Sequence, residues 1–158
     1  GELLISIEDN KYDFLIANHM IEHTENVFKT IQNHLRVLKK GGILYYAVPD
    51  KRFTFDKNRE LTTYEHLKAE YLYGSENYRY EHFLDFVTNV QNVKEEKEAS
   101  KVAKKLSEEG LDTHFHVWTS ETFIDHIKKA IDDKILNIEI LEHTHKNDIE
   151  SITILKKL

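Results

Sequence analysis

YDFLIANHMIEHTENVFKTIQNHLRVLKKGGILYYAV, residues 12–48, reads as strand, helix and strand in immediate succession. Tyr12 to Asn18 form a short apolar run set off by the turn-forming Glu8-Asp9-Asn10, the pattern of a buried parallel strand covered on both faces. Thr24 stands where it can cap the next element, and Val27, Phe28, Ile31, Leu35 and Leu38 then share one helical face until Gly41-Gly42 ends it. Lys39 and Lys40 suit the negative end of a helix dipole. Ile43 to Val48 make a second apolar strand, stopped by Pro49. A strand-helix-strand unit of this length implies a parallel pair with a right-handed crossover, and so an α/β fold.

Outward from this unit the pattern changes. Residues 50–80 are polar and aromatic, with a short helix expected near Thr63 to Tyr73 and a turn at Gly74. Two more helices are expected, over Glu81 to Val90 and Val93 to Glu109. The second would turn Ala99, Val102, Ala103 and Leu106 inward and stop at Gly110. Residues 50–115 therefore read as a helical insertion. Ser120 is placed to cap a last helix carrying Phe123, Ile124 and Ile127, after which Ile135 to Leu141 and Ile149 to Leu155 read as antiparallel neighbours. No repeat or low-complexity linker divides the chain, which reads as one domain, residues 1–158.

With 40% hydrophobic and 11% aromatic residues, the 158 residues suffice to bury one core. A formal charge of −6, with acids and bases mixed along the chain, leaves no basic stripe to follow a phosphate backbone, which argues against a nucleic-acid partner. No apolar run is long enough to cross a bilayer, so no membrane partner is expected. The absence of cysteine rules out disulfides and thiolate metal sites and suits a cytoplasmic location.

Asn18, His19, Glu22 and His23 fall where a parallel strand ends, the position at which open α/β sheets hold their ligands. Asn18 and His19 can equally serve only the turn's own backbone. Glu22 and His23 are adjacent and can pair, which makes a candidate acid or base. Asp50-Lys51-Arg52-Phe53 follows the second strand and lies on the same sheet edge. Arg52 there is a natural clamp for a carboxylate or phosphate, or else an ion-pair partner of Asp50, Asp56 or Glu60. His114-Phe115-His116 and His143-Thr144-His145 are HxH pairs. In a strand each pair would present both rings on one face, as a zinc site can use. Ten histidines make chance pairs common, the second pair is expected in a turn, and no metal site is assigned.

The runs YDFLIANHMIEH (residues 12–23) and LRVLKKGGILYYAVPDKRFTFD (residues 35–56) resemble the fourth strand, following helix and fifth strand of class I S-adenosylmethionine-dependent methyltransferases. The block PDKRFTFD, then Arg59, Thr62 and His66, and later HFHVWTSETF (residues 114–123), is similar to one bacterial branch often found near or fused to glycosyltransferases. The resemblance extends from Gly1 to the last strand pair. It implies the C-terminal part of a Rossmann-like fold, a mixed sheet of family strands four, five, seven and six. It places Asn18, His19 and Glu22 beside the cofactor's methionine end, and Arg52, Arg59, His66, His114, His116 and Trp118 on the side of a small-molecule acceptor. Trp118 can also be an ordinary core residue.

The family's GxGxG-like loop has no counterpart among Gly1, Gly41, Gly42, Gly74 and Gly110, and Gly1-Glu2 resembles the point just after the family's adenine-contacting acid. Gly1, not being Met, reads as a cut end. The chain is accordingly expected to bind S-adenosylmethionine weakly by itself. Its parent is expected to be an O-methyltransferase of a sugar-related or other small acceptor, with His19 or His23 as base. Two other readings stand beside this one. A non-catalytic fragment could form a homodimer through the exposed strand 12–18, and a metal module could be built on the HxH pairs.

Overall fold

The computed structural model describes residues 2–146 and 149–158, with Lys146 described by its backbone alone. Four strands, β1 (Tyr12–Asn18), β2 (Leu38–Pro49), β3 (Ile138–Lys146) and β4 (Glu150–Lys157), form one sheet in the order β1-β2-β4-β3. β1 runs parallel to β2, and β4 is antiparallel to both β2 and β3. This is the mixed sheet that the sequence implied. The helices are α1 (Val27–Val37), α2 (Tyr64–Tyr73), α3 (Arg79–Asn89), α4 (Glu96–Glu109) and α5 (Ser120–Asp132).

One face of the sheet carries the main core. Leu15, Ala17, Leu44, Tyr46 and Leu155 point to it and meet Phe28 and Ile31 of α1, Phe123 and Ile127 of α5, and Trp118. Helices α3 and α4 pack against each other around Phe83, Val87, Ala99, Ala103 and Phe115, which form a second small core. The other sheet face is open. Phe14 and Ile16 are 64% and 58% exposed, and the residues beside them in register, Ile43, Tyr45 and Ile154, are only half-buried. The expectation that YDFLIAN is covered on both faces is therefore corrected. β1 is an edge strand, and in it only Ala17 is buried.

Local chemistry moved several boundaries. Asn26, not Thr24, caps α1 by accepting the Lys29 N–H, while the Thr24 hydroxyl donates to the Ile21 carbonyl and closes a preceding 3-10 turn. Helix α1 ends at Val37, and Gly41-Gly42 lie inside β2 at an irregularity in its pairing with β1. Gly41 takes φ +78°, and a Cβ on Gly42 would stand 2.8 Å from the Lys39 carbonyl oxygen, so both positions favour glycine for backbone reasons. Thr119, one residue before Ser120, caps α5 in a reciprocal pair with Thr122. His143 and His145 lie in β3 rather than in a turn.

Candidate functional site at the carboxyl edge of the sheet

β1 ends at Asn18, and the chain turns at His19 with φ +47°, a left-handed backbone uncommon for a residue with a side chain. Its N–H donates to the Ala47 carbonyl of β2, which fixes the turn against the sheet. The following 3-10 turn, Ile21–His23, buries Glu22 almost completely. The segment 113–119 then crosses this edge, and the Phe115 N–H donates to the Glu22 carbonyl at 2.8 Å. Two regions far apart in sequence thus meet at the carboxyl ends of the parallel strands.

Glu22 is the most unusual group here. Among the described residues neither of its carboxylate oxygens has a hydrogen-bond partner. His19 Nδ1 and His23 Nε2 approach only to 3.7 and 3.9 Å. Burial raises its pKa. His19 turns its Nε2 to Glu150 at 2.8 Å, and His23 Nδ1 contacts the exposed Asp112 at 2.8 Å. A cavity of about 380 Å³, bordered by Leu15, Asn18, Met20 and His34, lies along the same end of β1.

His114 sits edge-on to His23, their ring centroids 4.6 Å apart. Its Nδ1 lies 2.6 Å from Asp56 Oδ2, and Asp56 Oδ1 accepts from Arg59 Nη1 at 2.8 Å. Burial would raise the Asp56 pKa, but the hydrogen bonds from His114 and Arg59 outweigh it and hold the group below the ordinary aspartate value. Arg59 is itself buried. It also donates to Asp85 at 2.6 Å and to the carbonyl of His114 at 2.7 Å. Its guanidinium is spent on holding this corner together. Phe55, half-exposed, packs its ring 4.6 Å from that of His114.

The remaining expected residues separate. Arg52 is half-exposed but engaged, donating to Asp50 at 2.9 and 2.6 Å and to Glu121 at 3.0 Å, so it takes the ion-pair reading and not that of an open clamp. Trp118 is core, stacked parallel to His116 and packed against Phe123. The two HxH pairs do not act as pairs: His114 goes to Asp56 and His116 to Glu70. His143 goes to Ser120 and Thr153. His116 instead gathers with His66 and His82 around the fully buried Glu70. Burial would raise the Glu70 pKa, yet these three imidazole partners hold it well below the ordinary glutamate range, while burial lowers that of His116. Glu70, His82 and Asp85 are not reached from the sequence, which offers Asp56 only as a candidate partner of Arg52. Two signals were present, the i,i+4 spacing of His66 and Glu70 on one helix and the proximity of Asp56 to Arg59.

No described helix is long and apolar enough to cross a membrane. No curated protein matches the chain. Among solved structures, a methyltransferase from Methanosarcina mazei described as SAM-dependent is 21% identical, with a TM-score of 0.45 over 97% of this chain and 62% of its own. A Pyrococcus horikoshii protein is 15% identical, with a TM-score of 0.46 over 97% and 55%. An arsenic(III) S-adenosylmethionine methyltransferase from Chlamydomonas reinhardtii is 14% identical, with a TM-score of 0.39 over 98% and 40%. The chain spans less than two thirds of each of these proteins. A family model described as a methyltransferase domain matches residues 5–130, which include β1, α1, β2, α2, α3, α4 and most of α5. By that match, the chain belongs to the methyltransferase-domain family.

Proposed function

We propose that the chain forms the acceptor side of an S-adenosylmethionine-dependent O-methyltransferase, with His114 as the general base. The observation that carries this reading is the Asp56–His114 contact of 2.6 Å at the sheet edge beside Glu22 and His23. A buried carboxylate on Nδ1 fixes the tautomer with its proton there, which leaves Nε2 bare to take a proton. With Nδ1 on Asp56, Nε2 is the nitrogen left for an acceptor, at the edge where one ligand atom each of Glu22, His23 and His114 lie within 4.8 Å of one another.

The residues present fit one flank of the methyl donor. The buried Glu22 carboxylate, without a hydrogen-bond partner among the described residues, is complementary to a cationic or N–H-bearing group, and Asn18 and His19 stand beside it at the end of β1. When bound, the donor supplies a methyl group on sulfonium sulfur for in-line substitution. The protein's task is then to align the acceptor and remove its hydroxyl proton. His114 Nε2 takes that proton, Asp56 stabilises the resulting imidazolium, and the Phe55 ring offers an apolar face to a small acceptor such as a sugar. Residues 1–158 contain no glycine-rich loop, so this chain is proposed to grip the donor weakly alone.

The test is turnover of the full-length protein. Removing a positioned base typically costs ~10²–10⁴-fold, so His114→Ala is expected to lower kcat by at least about a hundredfold with the donor's KM little changed. His23→Ala, the other base that the sequence suggested, is expected to cost less. Unchanged turnover in His114→Ala would remove the proposal.

A second reading rests on the open sheet face. Phe14 and Ile16 lie on β1, an edge strand that among the described residues pairs with β2 alone, which invites pairing with a second copy about a two-fold axis. Light scattering on the chain would then give a dimer mass that Ile16→Lys reduces to the monomer. A monodisperse monomer for the unaltered chain disposes of this reading.

A further inference from the structure

We infer that the chain binds one divalent transition metal ion, zinc by preference, through Nε2 of His66, His82 and His116 and a carboxylate oxygen of Glu70. The proposal is independent of the methyl-transfer reading.

The four ligand atoms come from three separate elements and lie within 4.8 Å of one another. His66 and Glu70 are one turn apart on α2, His82 is on α3, and His116 is on the segment that crosses the sheet edge. The two Nε2 atoms of His66 and His82 are 3.2 Å apart. Glu70 Oε1 is 3.1 Å from the first and 2.7 Å from the second, and Oε2 is 2.8 Å from His116 Nε2. Tetrahedral zinc with bonds of about 2.0–2.1 Å places its ligands about 3.3 Å apart, so the His66–His82 nitrogen pair, at 3.2 Å, already stands at the spacing of such an edge, and the Glu70 oxygens, at 2.7, 2.8 and 3.1 Å from the three nitrogens, lie inside it.

Hydrogen bonding alone serves this arrangement poorly. A neutral imidazole has a single N–H. If His66 and His82 both carry it on Nε2, two hydrogens converge on one oxygen with their nitrogens 3.2 Å apart. If either leaves Nε2 bare, its lone pair faces the Glu70 carboxylate directly. A cation among the four atoms removes both conflicts, because every lone pair then points at positive charge. Among the described residues, Glu70 has no Lys or Arg partner, so its buried charge is otherwise met only by imidazoles.

The rings are held in place before any ion arrives. His116 stacks parallel to Trp118, with an interplanar angle of 2°, and His82 stands edge-on to Phe115. There is also a way in. A groove of about 250 Å³ opens onto His66 and His82, with Glu60 and Glu81 among its walls to attract a cation, while Arg59 and Asp85, also in the wall, pair with each other. Three imidazoles and one carboxylate suit zinc better than magnesium or calcium, which prefer all-oxygen shells. A four-ligand site of this kind is structural, tying α2 and α3 to the segment that presents His114.

The experiment uses the full chain, stripped with a chelator, incubated with zinc, dialysed and measured by elemental mass spectrometry. One zinc per chain is expected, with a thermal midpoint that rises on loading. Loss of a ligand should weaken binding by about tenfold or more in Glu70→Gln and in His82→Ala, whereas His145→Ala, in the other HxH pair, should retain zinc. Circular dichroism of each variant reports whether its fold persists. Should the variants fail to fold, the cobalt form of the unaltered chain decides: an intense tetrahedral visible spectrum supports the site, and a weak octahedral one overturns it. Zinc absent from the folded unaltered chain, or retained fully by folded Glu70→Gln and His82→Ala, or lost on His145→Ala, would equally overturn it.

Discussion

Asp56→Asn is the substitution whose consequences the structure specifies most fully. Asp56 is buried, accepts from Arg59 at 2.8 Å and contacts His114 Nδ1 at 2.6 Å. Breaking a buried ion pair by removing one partner costs about 3–5 kcal/mol, because the surviving charge is left uncompensated. Arg59 retains Asp85 at 2.6 Å and the His114 carbonyl at 2.7 Å, so the loss should fall near the lower end, about 3 kcal/mol. Urea unfolding measures it, as a lowered midpoint at constant slope. A second effect falls on tautomer choice. An asparagine whose oxygen stays with Arg59 turns its NH₂ towards His114, so Nδ1 must accept and the ring proton moves to Nε2. The base then loses its lone pair, and kcat of the full-length protein should fall with little change in KM. A stability loss under about 0.5 kcal/mol would refute the buried-pair reasoning, and undiminished kcat would refute the role of Asp56 in orienting His114.

His126 gives a pH dependence of definite sign. Burial pushes its pKa down to about 4, so between that value and its ordinary 6.5 the unfolded chain binds a proton that the folded chain refuses. Stability should therefore fall as pH drops from 6.5 towards 4, by up to about 3 kcal/mol, and His126→Phe should flatten this part of the urea midpoint's pH profile. An unchanged profile in that variant would contradict the assignment. Gly42→Ala places a Cβ 2.8 Å from the Lys39 carbonyl oxygen and 3.2 Å from that of Asp13, both backbone atoms. A loss of about 1–3 kcal/mol is expected, and a neutral effect would show that the irregularity in β2 can relax.

The strand-helix-strand unit was legible because YDFLIAN and ILYYAV are short apolar runs with a helix-period segment between them, and the final antiparallel pair followed from two strand-like runs joined by a short polar stretch. Depth of burial was not. An apolar run reads as covered on both faces, yet whether helices lie on the second face depends on chain that the run does not contain, and Phe14 and Ile16 stand open. Caps slipped by one or two residues where neighbouring side chains compete, as Thr24 with Asn26 and Ser120 with Thr119. In the site, the sheet-edge position of His19, Glu22 and His23 came from topology. The partners did not, because Asp56–His114 and Glu70–His116 join residues 58 and 46 positions apart. The HxH spacing drew attention to neighbours in sequence, whereas His114 and His116 sort by which carboxylate each can reach and His143 turns to two hydroxyls.

The central claim is that the donor and acceptor meet at the edge formed by Asn18, Glu22, His23 and His114. It is tested most directly by histidine side-chain ¹H–¹⁵N spectra of the full-length protein titrated with S-adenosylhomocysteine, the product form of the donor. The signals of His19, His23 and His114 should shift saturably, while those of His126 on α5 and of His143, held on β3 by Ser120 and Thr153, stay in place. Binding that leaves the first three unmoved would contradict it.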